Sequence, residues 1–200
     1  MYLQIKESAG FTMVEVLIAL AIVLVIAVGV SSLFLQTQRN QLRLTAGASR
    51  AALINSLRFS AQSALALKQT SLTTPALKNC FCGYSTCVEN QVVAVQLKDV
   101  QGKIISGSPA APRRYNIEGS PCTNQNCVFE VTSTFECKGA ECGTGNFLVG
   151  DPTGRIIYRI NLLATAHIHK ELLSLKNTLT GIPIDFSLKD LRIYSSEICP

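Results

Sequence analysis

The sequence predicts an α+β fold in which a long N-terminal α-helix, membrane-spanning in its first half, packs on a disulfide-rich antiparallel β-sheet domain. Three observations support this prediction. An apolar run from Val16 to Leu35 continues into a segment with helical periodicity, later segments alternate between apolar and polar residues, and eight cysteines lie between Cys80 and Cys199. With 200 residues, of which 48% are hydrophobic, the chain can form one globular core beside one separate apolar segment.

The apolar run contains no charged residue from Val16 to Leu35 and is long enough to cross a bilayer as a helix. A signal anchor or a cleaved secretory signal would also explain it, because Lys6 supplies a basic start and Ala27-Val28-Gly29 suits signal peptidase. Glu15 fits neither interpretation well, since an unpaired carboxylate in the hydrocarbon costs about 2.5–3.5 kcal/mol. We therefore expect Glu15 to have a partner and a function.

The residues around this acid form a specific pattern. Residues 10–20 read GFTMVEVLIAL, which resembles the cleavage and methylation signature of type IV pilins and type II secretion pseudopilins. The resemblance implies that a prepilin peptidase cuts after Gly10 on the cytoplasmic side of the membrane and N-methylates the new first residue, Phe11. It also implies that Glu15, fifth after the cut, neutralises the Phe11 amine of a neighbouring subunit and sets the register of a filament. Burying both charges together is tolerable, whereas burying either one alone is expensive.

The same resemblance divides the chain and predicts its partners. We expect a leader at 1–10, a transmembrane and filament-core helix at 11–35, an amphipathic continuation at 36–70 and a globular β domain at 71–200. The expected location is the bacterial inner membrane with the domain in the periplasm, then a pilus or pseudopilus. Arg39 and Arg43 beyond the apolar run favour the opposite orientation by the positive-inside rule, but the signature and the cysteines outweigh them. Expected partners are prepilin peptidase, other pilin or pseudopilin subunits, the inner-membrane assembly platform and, before assembly, membrane lipid.

Helical periodicity continues beyond the apolar run. It predicts one helix from about Thr12 to Lys68, because no proline precedes Pro75. One apolar stripe is expected to comprise Leu42, Ser49, Leu53, Leu57, Ala61 and either Ala64 or Leu65. Basic residues lie on the other faces, where they would meet water, lipid headgroups or acidic neighbours: Arg39, Arg43, Arg50, Arg58 and Lys68.

The remainder of the chain reads as an antiparallel sheet. A hairpin turn is predicted at Asp99–Gly102, and a second turn at Asp151–Gly154. The predicted strands are Gln91–Leu97, Lys103–Ser106, Val128–Cys137, Arg155–Ala164 and Ser187–Tyr194, with a short helix at His169–Thr178.

The cysteine spacing indicates an exported, oxidised domain. Three pairs share the spacing C-x4-C, so we expect the bridges Cys82–Cys87, Cys122–Cys127 and Cys137–Cys142, with Cys80–Cys199 joining the remaining two. A zinc or iron–sulfur site is the alternative, but zinc usually takes paired cysteines two to four residues apart, so no metal is predicted.

Nothing in the sequence indicates catalysis, and neither an enzyme nor a cofactor is predicted. His167 and His169 suit a surface strand, and no acid or third histidine accompanies them. Nucleic-acid binding is not favoured either: the net charge of +5 comes mostly from residues 1–70, with six basic and two acidic side chains, and tryptophan is absent.

Three hypotheses for the function follow. The first is a minor type IV pilin or pseudopilin, since residues 16–22 are closer to minor than to major subunits. The second is a secreted, disulfide-rich binding module cut by signal peptidase near Gly29. The third is a membrane-anchored adhesin or DNA receptor that binds through the basic helix face.

Overall fold

A computed structural model of the chain describes residues 12–82, 87–139, 142, 153–163, 172 and 179–187. Its helices are α1 (Met13–Gln62), α2 (Ala64–Ser71) and α3 (Pro75–Cys82), and its strands are β1 (Val92–Val95), β2 (Arg113–Tyr115), β3 (Phe129–Lys138), β4 (Thr153–Leu162) and β5 (Leu179–Ser187). The chain forms two compact units, Met1–Leu42 and Arg43–Pro200. The predicted α+β class, with a long apolar helix at the start and a disulfide-bonded antiparallel sheet after it, is confirmed.

In the first unit, the described residues form the apolar part of α1. Every residue from 12 to 41 is exposed, including side chains as large as Leu24 and Phe34. A run of that kind meets the length and composition of a membrane-crossing helix. The predicted domain boundaries at residues 10, 35 and 70 stay predictions.

In the second unit, α1 buries one stripe of residues. Ser49, Leu53, Leu57 and Ala61 are buried at spacings of four, as the periodicity predicted, and Ala46 extends the stripe toward the N-terminus. Leu42, which the prediction placed on the same stripe, is only half-buried.

The prediction of a single helix to Lys68 is wrong, because the helix is interrupted at Ser63. This residue has extended backbone angles, φ −83° and ψ 117°, and its side chain accepts a hydrogen bond from the Ala66 amide as the N-cap of α2. The interruption rotates the buried face, so that Ala66 and Leu67 are buried while Leu65 is 48% exposed.

The helix α3 was not predicted, although its start carries a clear signal. Pro75 occupies the first helical position, where its missing N–H costs nothing. The Thr74 carbonyl accepts from the Lys78 amide at 3.0 Å, and Leu77 and Cys80, one turn apart, are both buried.

The sheet is antiparallel, with strand order β1-β3-β4-β5, and β2 also pairs with β3. In the register of β3 with β4, Val131 faces Ile160, Ser133 faces Tyr158 and Phe135 faces Ile156. All six of these residues are buried, so this face of the sheet forms the core of the second unit. The predicted strand at residues 128–137, with Phe129, Val131 and Phe135 on one apolar face, is therefore confirmed.

The predicted hairpin turn is present, but its second arm is not a strand. The Gly102 amide donates to the Asp99 carbonyl, and the Asp99 amide donates to the Lys103 carbonyl. Gly102 takes the left-handed φ of 82°. Beyond the turn, Lys98 and Ile104 form an isolated bridge, and the Ile105 amide donates to the Leu97 carbonyl at 2.9 Å, but no regular ladder follows. Instead, the unpredicted β2 joins β3 further along the chain.

The remaining predictions at the C-terminal end are tested only in part. The strand β4 agrees with the predicted Arg155–Ala164 but begins two residues earlier, whereas β5 was not predicted. The predicted strand Ser187–Tyr194 lies outside the described residues apart from Ser187, which ends β5. The predicted helix at His169–Thr178, apart from Leu172, and the first half of the turn at Asp151–Gly154 also lie outside them.

A tight crossing at Gly107 holds the edge of β3 between β1 and β2. The Gly107 amide donates to the Val131 carbonyl at 3.1 Å, and its own carbonyl accepts from the Ser133 amide at 2.9 Å. A Cβ at this position would lie 2.0 Å from the Ala111 carbonyl oxygen, so no other residue fits without moving the backbone. Beside it, the buried hydroxyls of Ser106 and Ser133 are hydrogen-bonded to each other.

Three disulfides lie among the described residues, and one of them corrects the predicted pairing. The bridges Cys122–Cys127 and Cys137–Cys142 are present as predicted. However, Cys87 pairs with Cys80 rather than Cys82, which also removes the predicted Cys80–Cys199 bridge. The physical reason is the helix α3, which places Cys80 on its buried face with Leu77, whereas a spacing rule takes no account of helix phase. The Cys82 side chain and Cys199 lie outside the described part.

Candidate functional site

The start of α1 is held by a reciprocal pair, Thr12 and Glu15. The Glu15 carboxylate oxygen Oε2 accepts from the Thr12 amide at 2.9 Å and from the Thr12 hydroxyl at 3.0 Å. In return, the Thr12 hydroxyl accepts from the Glu15 amide at 3.4 Å. This is a capping box, in which an N-cap threonine and a glutamate three residues later satisfy each other's backbone amides.

Thr12 is the residue that the sequence analysis missed. The signal was present as Thr12-x-x-Glu15 ahead of an apolar run, which is the sequence form of a capping box. The pair shows how one chain can carry this carboxylate at the start of an apolar helix. The Glu15 carboxylate lies at the positive end of the helix dipole, and it accepts hydrogen bonds from Thr12 at the start of the same helix.

The rest of the apolar segment also satisfies its polar groups internally. The Ser31 hydroxyl donates to the Ala27 carbonyl at 2.8 Å, and the Ser32 hydroxyl donates to the Gly29 carbonyl at 2.8 Å. Thr37 repeats the arrangement with the Leu33 carbonyl at 2.9 Å. Such side chains need no water, so they fit a helix surrounded by lipid or by other apolar helices.

The length of this segment suits the same surroundings. From Met13 to Leu35 it extends about 35 Å at 1.5 Å per residue, slightly more than the roughly 30 Å of a bilayer's hydrocarbon. Its large apolar side chains are between 46% and 82% exposed, so burying each one elsewhere would release about 1.5–3 kcal/mol at most. None of the described residues covers this apolar surface, which suits a helix that is surrounded by lipid or by other apolar helices.

The comparison with known families identifies the segment. Residues 5–31 match the prokaryotic N-terminal methylation motif. The chain carries the signature of type IV pilins and pseudopilins. The match includes Gly10, Phe11 and Glu15 and ends within the exposed part of α1. No curated protein and no solved structure matches the chain.

The signature supports a pilin-like subunit that is processed by prepilin peptidase and assembles with other pilins. Proteins with this motif have structural roles rather than enzymatic ones, and the motif together with the apolar helix points to membrane anchoring before assembly. The motif does not distinguish minor pilins from pseudopilins.

The predicted site residues are only partly described. Gly10 and Phe11 lie outside the described residues, and so do His167 and His169. Glu15 lies in the first turn of α1, where Thr12 engages it. Its predicted role in register, and the processing roles of Gly10 and Phe11, stay predictions.

The predicted basic face is partly buried. Arg39, Arg43 and Arg58 are exposed, whereas Arg50 and Lys68 are half-buried. The helix face therefore does not present these five cations as one continuous exposed strip.

The structure also brings together three cysteine sulfurs that the sequence prediction had assigned to two different bridges. The Sγ atoms of Cys87, Cys137 and Cys142 all lie within 4.8 Å of one another. Thiolates at such distances could bind zinc, but each of these sulfurs already belongs to a disulfide. Thiol–disulfide exchange is the chemistry that this arrangement supports.

Proposed function

We propose that this chain is a minor type IV pilin or pseudopilin, processed after Gly10, methylated at Phe11 and assembled through its N-terminal helix. The observation that carries the proposal is the coincidence of two features. The methylation motif at residues 5–31 covers the same segment that leaves its apolar side chains exposed. In this proposal the helix resides in the inner membrane, with the disulfide-bonded unit in the periplasm, until it enters a pilus or a secretion pseudopilus.

The assembly step needs a device that sets the axial position of each helix. Lipid tails are as apolar as the side chains of a helix bundle, so moving this helix from membrane to filament gains little from hydrophobic burial. Such packing also tolerates sliding between subunits. We propose that Glu15 supplies the register by binding the methylated Phe11 amine of a neighbouring subunit.

The geometry at Glu15 is compatible with that pairing. Both described hydrogen bonds to the carboxylate fall on Oε2, from the Thr12 amide and hydroxyl. A carboxylate offers about four lone-pair sites on its two oxygens, so it can keep its cap and accept an amine as well. The capping box then holds the carboxylate in one orientation before assembly, which lowers the entropy cost of pairing.

The experiment that tests the proposal is the mass of the N-terminal peptide of the mature protein, purified from membranes. A peptide that begins at Phe11 and carries one extra methyl group is the expected result. A start near Val30 would instead show that the apolar run is discarded, as in a secreted module, and the filament proposal would fail.

Two matched glycine variants locate the processing site. Gly10→Val should leave the leader attached, whereas Gly29→Val, made in the middle of α1, should be processed normally. Normal processing of Gly10→Val together with loss of processing in Gly29→Val would reverse the conclusion in favour of signal peptidase.

A further inference from the structure

Two of the disulfides lie against each other. Cys80 and Cys87 form one bridge, and Cys137 and Cys142 form the other. The Cys87 sulfur is within 4.8 Å of both sulfurs of the second bridge. Since a disulfide bond is about 2.0 Å long, less than about 3 Å of movement separates this pairing from one that joins Cys87 to the second bridge.

Backbone and side-chain hydrogen bonds around the bridges hold them together. The Asn90 amide donates to the Cys137 carbonyl at 2.9 Å, and the Lys138 ammonium donates to the Asn90 side-chain oxygen at 2.7 Å. The Gly139 amide donates to the Glu89 carboxylate at 3.2 Å. The segment after Cys87 is therefore tied to the end of β3, where the second bridge begins.

The four cysteine residues differ in their exposure to solvent. Cys80, Cys87 and Cys137 are at most 4% exposed, whereas Cys142 is half-buried. A small cavity of about 170 Å³ between α3, β1 and β3 is lined by Cys80 and Cys137. An incoming thiol therefore reaches the second bridge most easily at Cys142, and the buried sulfurs exchange among themselves.

We propose that these four cysteines form a thiol–disulfide exchange centre. A low-molecular-weight thiol forms a mixed disulfide with Cys142, and Cys80 is released as a free thiol. The proposal rests on the sulfur geometry and is independent of the filament role. It gives the domain a covalent modification site in addition to its structural bridges.

The exchange proceeds in two balanced steps. The incoming thiol, deprotonated by solvent, attacks the Cys142 sulfur; a mixed disulfide forms, the Cys137–Cys142 bond breaks, and its electron pair leaves on Cys137. The Cys137 thiolate then attacks Cys87, the Cys80–Cys87 bond breaks, and Cys80 leaves as a thiolate that takes a proton from water. Two disulfides exist before and after, so no external oxidant or reductant is consumed.

The second step is fast because its reactants are already adjacent. A thiolate held beside its target acts at an effective concentration far above that of a dissolved millimolar thiol. If the incoming thiol enters through the cavity and attacks Cys137 instead, Cys142 leaves, and it also lies within 4.8 Å of Cys87. Both routes of entry therefore open the Cys80–Cys87 bridge.

The chain contains a matched control for this proposal. The Cys122–Cys127 bridge has the same sequence separation of five as Cys137–Cys142. Cys122 is half-buried, as Cys142 is, but neither sulfur of this bridge belongs to the cluster of three. Opening it should therefore give an adduct without further exchange.

The test treats the full-length protein, folded in detergent, with reduced glutathione at neutral pH. The reaction is stopped with acid, free thiols are alkylated, and disulfide-linked peptides are mapped by mass spectrometry. We expect a Cys87–Cys137 peptide, glutathione on Cys142 and an alkylated Cys80. The Cys87–Cys137 peptide should exceed any peptide that joins these four residues to Cys122 or Cys127 by at least about tenfold, because only adjacent sulfurs exchange.

A double variant tests the transfer step itself. Cys80→Ser with Cys87→Ser should still take up glutathione at Cys142, but the Cys137 thiol should stay free for alkylation. In contrast, Cys122→Ser with Cys127→Ser should leave the Cys87–Cys137 product unchanged.

Three results from the wild-type protein would overturn the proposal without any variant. These are an adduct at Cys142 with an intact Cys80–Cys87 bridge, no reaction until the protein is unfolded, or equal scrambling among the six cysteines of the three described bridges. The last result would indicate global unfolding rather than a local exchange centre.

Discussion

Two parts of α1 belong to the same continuous helix but have opposite surroundings. In the first unit, Leu24 is 65% exposed, and all its described neighbours are exposed as well. In the second unit, Leu57 is 1% exposed and belongs to a packed core. Apolar content alone therefore does not tell whether a helix packs into the core of its own chain. The earlier segment carries its apolar surface for a bilayer or for neighbouring helices, and the later one carries it for folding.

Polar side chains show the same division. In the first unit, the hydroxyls of Ser31, Ser32 and Thr37 bond to carbonyls of their own helix, so they hold nothing else in place. In the second unit, the Thr70 hydroxyl accepts from the Lys98 amide at 3.0 Å and thereby joins α2 to the segment after β1. Hydroxyls that hydrogen-bond within their own helix suit a segment that must change its surroundings. Hydrogen bonds between distant segments suit a unit that must keep its shape.

The largest effect is expected from Glu15, because it is the one charged group between Thr12 and Leu35, in the exposed part of α1. Glu15→Val should insert in the membrane and be processed, but it should be lost from sheared filaments, since the neighbour's amine would be left without a partner. The measurement is the amount of the subunit in filaments relative to membranes.

Glu15→Gln separates pairing from capping. Glutamine can also complete a capping box, so it keeps the helix start while removing the charge. If charge pairing sets the register, Gln fails as Val does; if only the cap matters, Gln restores assembly. Normal filament content of both variants would remove Glu15 from the mechanism.

A second prediction compares two leucines of the same helix. Leu57→Ala should lower the free energy of unfolding of the disulfide-bonded unit by about 2–5 kcal/mol, because it leaves a cavity in the core. Leu24→Ala should leave that free energy unchanged, since Leu24 is 65% exposed and does not belong to the described core of that unit. Denaturant unfolding of both variants in detergent measures the difference, and equal losses would contradict the division of the helix into two parts.

The sequence predicted those parts of the fold that periodicity and length determine. The exposed run was predicted from its length and uniformly apolar composition, whereas the buried stripe through Leu53 and Leu57 and the central strand β3 were predicted from their periods. The interruption at Ser63 was missed because residues 61–64 contain neither proline nor glycine, and only the N-cap hydrogen bond to Ala66 ends the helix there.

The strand β5 was missed for the opposite reason. Gly181 and Pro183 argue against a strand, but β5 lies at the end of the strand order, where a missing N–H is tolerated. At the candidate site, Glu15 was predicted because an unpaired carboxylate in an apolar run is energetically costly. Its capping partner Thr12 was not predicted. The nearness of the two disulfides could not be predicted, because it depends on how α3 meets the end of β3.

A third prediction tests the tight crossing at Gly107. Gly107→Ala should destabilise the second unit by about 1–3 kcal/mol, because its Cβ would overlap backbone atoms that cannot move independently. Gly47→Ala is the matched control: nothing lies within 4 Å of its Cβ, and alanine is favoured in a helix by about 0.5–1 kcal/mol. The two variants should therefore shift the unfolding midpoint in opposite directions, and a shift of the same sign would refute the close approach.

The smallest effect is expected from the buried hydroxyl of Tyr115, which donates to the Ile105 carbonyl at 2.6 Å. Burial raises the pKa of Tyr115, although the nearby charge of Arg113 acts to lower it. Tyr115→Phe should cost about 1 kcal/mol near neutral pH, because the hydrogen bond is lost and the carbonyl stays buried.

The pH dependence of that difference identifies the hydroxyl as its cause. With the folded-state pKa raised, the stabilisation by the phenol is fully present below the unfolded pKa of about 10 and is lost as the pH rises through the folded pKa. Groups shared by both proteins titrate equally, so only Tyr115 changes the difference between them. The advantage of the wild type over Tyr115→Phe in denaturant unfolding should therefore shrink above about pH 10. A difference that stays constant across that range would show that the phenol contributes by packing alone, as the leucines of the same core do.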